Sequence, residues 1–357
     1  MLCVPWELPP SELSLLDECL FVAAPLAPTR HERLEAAKDR VGVFKAKYGD
    51  ARWKEHVATV DPCISLAGTV PRPISRAYYK LVEIIRTSAI KPPTSSLHLC
   101  EAPGGFAQAV LSEFPTTRSA SFMSRLEEGL PYFSPCLLHD NRANRLQLEC
   151  NGDILQARVR DQIANANETY ELVTGDGATD NDSQPELAES STAAIVACEI
   201  EVAIRTQAEG GTFVVKIFGL ARPITRQLVA ILTRCYKSVS ILKPCTSRSV
   251  NDERYVVCQG FCRAKSPNFR LPTQWNPGLF LEGVAEISDA WIAELDTIAD
   301  QMAASQLFAI EKALRCTSSG VTSSRRFRGG RGHRAQTGGP AHPYRGGGRG
   351  YGKTRTS

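Results

Sequence analysis

Between residues 97 and 261, short apolar runs alternate with longer stretches of helical spacing. Residues 97–100 read as a short buried strand, followed by a Pro-Gly-Gly turn and a helix over 106–114. Strand candidates follow at 119–123 and 145–149. Residues 172–174 run into Gly175-Asp176-Gly177, and a long helix is expected over 187–207. The clearest strand is 212–218, entered through Gly210-Gly211 and followed by a helix over 224–236. Strands over 238–242 and 254–259 complete a set of seven. Strands alternating with helices at these spacings predict an α/β fold, a Rossmann-like doubly wound and mostly parallel sheet.

Upstream, residues 11–22 and 31–48 carry apolar positions at helical spacings, with Pro25 and Pro28 between them. A further helix is expected over 75–86, preceded by Pro71 and Pro73, capped by Ser75 and ended by Lys91-Pro92-Pro93. Downstream, residues 288–315 read as one or two helices outside the sheet. The expected organisation is a helical extension over 1–70, the sheet domain over 71–264, a second helical extension over 265–316 and a disordered Arg/Gly-rich tail over 317–357.

Composition adds an asymmetry. The 357 residues are 43% hydrophobic, enough for one large domain with extensions, and the formal net charge is +4. From Arg315 onward there are nine arginines, one lysine and no acid, so the tail carries +10 and the rest about −6. A near-neutral body with a basic arm suits a polyanionic partner. The 12 cysteines are scattered through apolar runs, and Cys258 and Cys262 lack the paired spacing of a zinc site. Reduced core thiols are expected, with no metal. No basic leader runs into an apolar segment, and no apolar run reaches membrane length. These features predict a soluble intracellular protein of cytoplasm or nucleus, cellular or viral in origin, with no membrane partner.

The turn Cys100-Glu101-Ala102-Pro103-Gly104-Gly105-Phe106 follows the first strand of the sheet, where an open α/β fold opens its ligand crevice. A dinucleotide fingerprint needs three spaced glycines and an acid ending the second strand, and a P-loop needs Gly-Lys-Ser/Thr; neither is present. Four ionisable residues fall where such a sheet would gather them: Lys80, Asp176, Lys216 and Glu253. Lys80 also fits a solvated helix face, Asp176 a Gly-Asp-Gly turn, and Glu253 a surface position before a strand. Lys216 is different. It interrupts Phe213-Val214-Val215-Lys216-Ile217-Phe218, and a lysine in a central strand must be paired or functional.

These motifs, in this order, resemble the FtsJ-like RNA ribose methyltransferases over roughly Arg72 to Phe261. Ser75-Arg76-Ala77-Tyr78-Tyr79-Lys80-Leu81 is similar to the family's first lysine motif, and Ala102-Pro103-Gly104-Gly105-Phe106 to its cofactor loop. Gly210-Gly211-Thr212-Phe213-Val214-Val215-Lys216 is similar to its second lysine motif, and Glu253-Arg254-Tyr255-Val256-Val257-Cys258 to its glutamate motif. The resemblance implies a seven-stranded methyltransferase sheet, S-adenosyl-L-methionine as cofactor and a Lys80-Asp176-Lys216-Glu253 tetrad. It implies cofactor contacts from Cys100 through Phe106 and from Asp176, and it gives Asp153 the adenine amino group. The chain departs from the family at His98, where many members have aspartate, and at Glu101, where many have a small residue.

The implied reaction is attack of a ribose 2′-hydroxyl on a sulfonium methyl. Burial and the neighbouring charge of Lys80 would lower the pKa of Lys216 towards neutrality, with Asp176 and Glu253 opposing part of that shift. The loop from Cys100 to Phe106 is closest to the cap-methylating branch, viral members included. The expected substrate is therefore capped mRNA at the cap-proximal nucleotide, with ribosomal or transfer RNA as the alternative. From another class, the alternative is a non-catalytic RNA-binding module on a methyltransferase fold. Trp53, Tyr132, Phe133 and Trp275 fit either a guanine-stacking site or core positions. Arginines among glycines in the tail, with Phe327, Tyr344 and Tyr351 interleaved, suit RNA, or a protein partner.

Overall fold

The computed structural model describes residues 5–8, 15–23, 31–60, 73–179, 188–266, 269–271, 279–284 and 289–318. In chain order these form β1 (Trp6–Leu8), β2 (Leu15–Ala23), α1 (Glu32–Tyr48), α2 (Asp50–Val60), α3 (Ala77–Thr87), β3 (Ser95–Leu99), α4 (Gly105–Glu113) and β4 (Ser119–Phe122). They continue as α5 (Pro135–Leu138), β5 (Ala143–Arg145), α6 (Ala157–Ala164), β6 (Tyr170–Gly175), α7 (Ala188–Thr206) and β7 (Gln207–Phe218). The last are α8 (Pro223–Cys235), β8 (Tyr236–Leu242), β9 (Glu253–Phe261), β10 (Leu279–Val284) and α9 (Asp289–Ser318).

Why the sheet forms is plainest in β7. Phe213, Val214, Val215 and Ile217 are buried on both faces of the strand, the composition of a central strand covered by helices on each side. The main sheet has the order β1-β8-β9-β7-β6-β3-β4-β5. Strands β3 to β7 run parallel, whereas β9 runs antiparallel to β7 and β8. Chain order reverses between β3 and β6, which makes a topological switch point with its crevice at the strands' carboxyl ends.

The sheet has eight strands rather than the seven expected. Trp6–Leu8 adds antiparallel to β8, and Trp6 Nε1 donates to Gln301 Oε1 of α9 at 2.8 Å. Residues 11–22, expected to be helical, instead contribute β2, which pairs antiparallel with β10 in a separate two-stranded sheet. The run Cys19-Leu20-Phe21-Val22-Ala23 is short and continuously apolar, a pattern compatible with either structure; a distant partner strand decides it. β5 also falls earlier than the expected 145–149. The remaining predicted strands and helices match observed elements to within a few residues at most ends, and α9 is one helix.

Helices α1 and α2 pack on α9 through Leu34, Ala37, Trp53, Val57, Ile310 and Ala313. This layer also holds the loop between β8 and β9, since Gln306 donates to the Val250 carbonyl and Arg254 Nη2 to that of Met302. Among the described residues no helix is long and apolar enough to cross a membrane. The tail from residue 319 onward, and Trp275, lie outside the described residues.

Candidate active site

The carboxyl ends of β3, β6 and β7 and the start of antiparallel β9 meet at one end of the sheet. Lys216 lies two residues before the end of β7, opposite Tyr255, and Glu253 faces Phe218 in the same ladder. Asp176 follows β6 directly. Lys80 comes from α3, whose Tyr78, Leu81, Val82 and Ile85 are buried in the adjoining core. The fold thus gathers all four predicted residues.

Their pairing differs from the expectation. Lys80 Nζ lies 2.8 Å and 2.9 Å from the two oxygens of Glu253 and is not the partner of Lys216. Lys216 Nζ donates to the Asp176 carbonyl at 2.6 Å and sits 3.0 Å from Asp176 Oδ1. Burial alone would lower the pKa of Lys216, but Asp176 and Glu253 outweigh it and the net shift is upward. The expected descent towards neutrality is therefore corrected: carboxylates dominate the lysine's surroundings. Burial would likewise raise Glu253, yet Lys80, Lys216 and Lys243 reverse this and hold it at about 2. The four residues form two ion pairs, Lys80–Glu253 and Lys216–Asp176, within one cluster.

Three further residues belong to it. Tyr255 donates its phenol proton to Asp176 Oδ1 at 3.0 Å, and burial keeps that phenol neutral. Ser247 Oγ donates to Glu253 Oε1 at 2.8 Å. Lys243 donates to the Glu253 carbonyl at 2.8 Å and to Asn251, while burial and then Arg254 lower its pKa to about 7. The loop is also tied to α3, because Glu83 accepts from the Cys245 and Thr246 amides. Tyr255 was traceable in the sequence: at period two it shares a strand face with Glu253. Ser247 and Lys243 lie in a loop with no such periodicity.

The loop after β3 is built largely by its own packing. Gly104 has φ +114°, and a Cβ there would stand 2.5 Å from Leu137 Cδ2 of α5. A Cβ on Gly105 would collide with Ser75 Oγ and reach 3.0 Å from Ala77 and Tyr78, so this glycine lets α3 and α4 close together. Glu101 is buried, and its Oε1 accepts the Phe106 and Ala107 amides at 2.5 and 3.0 Å, capping α4. Phe106 points into the core against Tyr255, at 5.8 Å between ring centres. Cys100 takes φ +53°, and Ala102 and Pro103 complete the turn. Asp153 stands between β5 and α6, where its Oδ1 accepts the Leu155 amide at 3.1 Å. His98 is a core group held between Ser96 Oγ and Thr174 Oγ1, at 2.9 and 2.8 Å. Of the candidate stacking aromatics, Trp53 and Phe133 are buried and Tyr132 is exposed.

Known proteins are similar to this chain in sequence. The Drosophila melanogaster protein named cap-specific mRNA (nucleoside-2′-O-)-methyltransferase 2 is 27% identical over 72% of this chain, and the Danio rerio protein of that name is 29% identical over 71%. The chain spans 39% and 37% of their lengths. The ribosomal RNA large subunit methyltransferase E of Novosphingobium aromaticivorans is 28% identical over 65% of this chain and 94% of its own length. The profile described as FtsJ-like methyltransferase matches residues 73–261. That span runs from just before α3 to the end of β9 and takes in the whole polar cluster: the chain belongs to the FtsJ-like methyltransferase family.

Proposed function

We propose that this chain transfers a methyl group from S-adenosyl-L-methionine to a ribose 2′-hydroxyl of RNA, at the cap-proximal nucleotide of mRNA. The observation that carries the reading is the paired cluster Lys80–Glu253 and Lys216–Asp176, set at the carboxyl end of the sheet beside the switch point. The residues present fit the cofactor. Asp176 follows β6, the loop from Cys100 to Gly105 follows the neighbouring β3, and Asp153 follows β5 further along the same sheet. Asp153 would accept from the adenine amino group, and main chain from Cys100 to Phe106 with Asp176 would hold the amino-acid end. When bound, the cofactor supplies an electrophilic methyl.

The protein's own contribution follows from the charges. Lys216 is held as an ammonium, so it acts as a donor to the 2′-oxygen and stabilises the negative charge that develops there as the hydroxyl proton passes to solvent water. Asp176 fixes the direction of that ammonium through its carbonyl and Oδ1. Glu253 holds Lys80, which ties α3 to the start of β9 beside Lys216. Alignment of the attacking oxygen and charge stabilisation supply the acceleration.

The cap-specific names of the two animal relatives favour capped mRNA. The near-complete coverage of the bacterial relative favours ribosomal RNA as the second reading. Incubation with methyl-labelled cofactor and matched capped and uncapped RNAs, followed by nucleoside analysis, separates them. Label in a 2′-O-methylnucleoside next to the cap is expected. Label only in uncapped ribosomal RNA would replace the cap reading, and no label in any RNA would leave a binding module.

A further inference from the structure

Helix α7 packs on the sheet through an apolar face that includes Val196, Ala197, Ile200, Ala203 and Ile204. Glu199 interrupts this face and is itself fully buried. A buried carboxyl group is costly unless a partner compensates it. Lys216, whose charge reaches Glu199, forms its ion pair with Asp176 instead. Glu199 Oε1 accepts the Gly177 amide at 3.0 Å, and the Cys100 thiol also lies against the carboxyl group.

The carboxyl group lies against the main chain on both sides of Asp176. A Cβ on Gly175 would stand 2.6 Å from Glu199 Cδ and Oε2, and a Cβ on Gly177 would stand 2.7 Å from Oε1. The two glycines bracketing Asp176 are therefore the residues this packing demands. Lys216 grips the same turn through the Asp176 carbonyl and Oδ1.

We propose that Glu199 is a positioning residue for methyl transfer, whose carboxyl group holds the Gly175-Asp176-Gly177 turn where Asp176 receives Lys216. This rests on the function proposed above. The titratable groups facing Glu199 are Cys100 from the loop after β3, Asp176 from the end of β6 and Lys216 from β7. Burial raises its pKa to about 8 with help from Asp176, against the Gly177 amide, Lys216 and Cys100. At neutral pH the group is an uncharged acid. Above about pH 8 it gains a charge that strengthens the bond from the Gly177 amide and draws on Lys216, outweighing repulsion from Asp176.

The test uses the full chain and two variants. Glu199→Gln keeps an acceptor for Gly177 without an ionisable group; Glu199→Leu removes the acceptor. For Glu199→Leu the expected result is a kcat loss of tenfold or more, KM for cofactor and RNA within about threefold, and lost hydrogen-exchange protection at the Gly177 amide. Glu199→Gln should keep that protection and most of the neutral-pH turnover, and should lose the rise in the Gly177 protection factor that the wild type shows through about pH 8. Normal kcat in Glu199→Leu, unchanged Gly177 protection in that variant, or the same pH dependence of Gly177 protection in wild type and Glu199→Gln would each overturn the proposal. If Glu199→Leu does not fold, the Gly177 and pH comparisons in Glu199→Gln still decide it. An inactive wild type would instead overturn the transferase reading, and the exchange measurement would still judge the hold of Glu199 on the turn.

Discussion

The ammonium of Lys80 bridges both carboxylate oxygens of Glu253, at 2.8 and 2.9 Å, so a single charge ties α3 to the first residue of β9. Both side chains are largely buried, and breaking such a pair leaves one charge uncompensated. Lys80→Ala and Glu253→Ala should each destabilise the fold by about 3 kcal/mol. The double variant should lose at least ~1 kcal/mol less than the sum. Urea titration of the four proteins checks this; strictly additive losses would show that the pair is not coupled.

Lys216→Ala removes the donor to the 2′-oxygen while leaving the loop from Cys100 to Gly105 untouched. Turnover should fall by about a hundredfold or more, with cofactor affinity within about threefold by calorimetry. Near-normal turnover would eliminate the role assigned to Lys216.

Gly104→Ala should destabilise the protein through two causes, the left-handed backbone at φ +114° and the close approach of Leu137. The expected loss is about 2 kcal/mol. Adding Leu137→Ala should remove the steric share but not the backbone share. Thermal melts of the single and double variants check this, each compared with Leu137→Ala alone. An unchanged melting temperature for Gly104→Ala would contradict it.

His98 is kept neutral by burial, with its pKa lowered to about 3 from an ordinary 6.5. The unfolded chain therefore binds a proton at this site that the folded chain refuses. The stability conferred by a neutral His98 is complete above about pH 6.5 and declines as the pH falls towards 3. Between pH 7 and pH 5 the wild type should lose about 2 kcal/mol relative to His98→Gln. Equal pH slopes in urea denaturation would refute this.

Removal of the residues after Ser318 takes away eight arginines and one lysine. RNA binding should weaken, and its logarithmic salt slope should flatten by about 0.9 for each duplex phosphate no longer neutralised, less for single strands. Turnover at saturating RNA should persist, because the tetrad lies upstream. An unchanged slope in filter binding would assign the tail to something other than RNA.

Much of the sheet was legible because local pattern and tertiary environment agree there. β7 reads as a buried strand in sequence and is one. The tetrad was legible for a related reason, since Lys216 stands against its apolar neighbours. Its pairing was not: whether Lys80 meets Lys216 or Glu253 depends on how α3 lies across β9, and no local spacing encodes that. The same holds for Glu199, one acid on a helix whose significance depends on the turn packed above it. At β2, where the run suits either structure, only the distant partner strand separates the two.

The three residues of β1 have a further effect. Without them, the seven residues of β8 would present one whole side of their backbone amides and carbonyls to any other extended chain. With β1 in place, both margins of the main sheet end in three-residue strands, β1 and β5, too brief to template much growth. A chain shortened past Leu8 would keep its polar cluster and yet be more prone to self-association, so loss of solubility on N-terminal trimming would report an unsealed sheet rather than a damaged site.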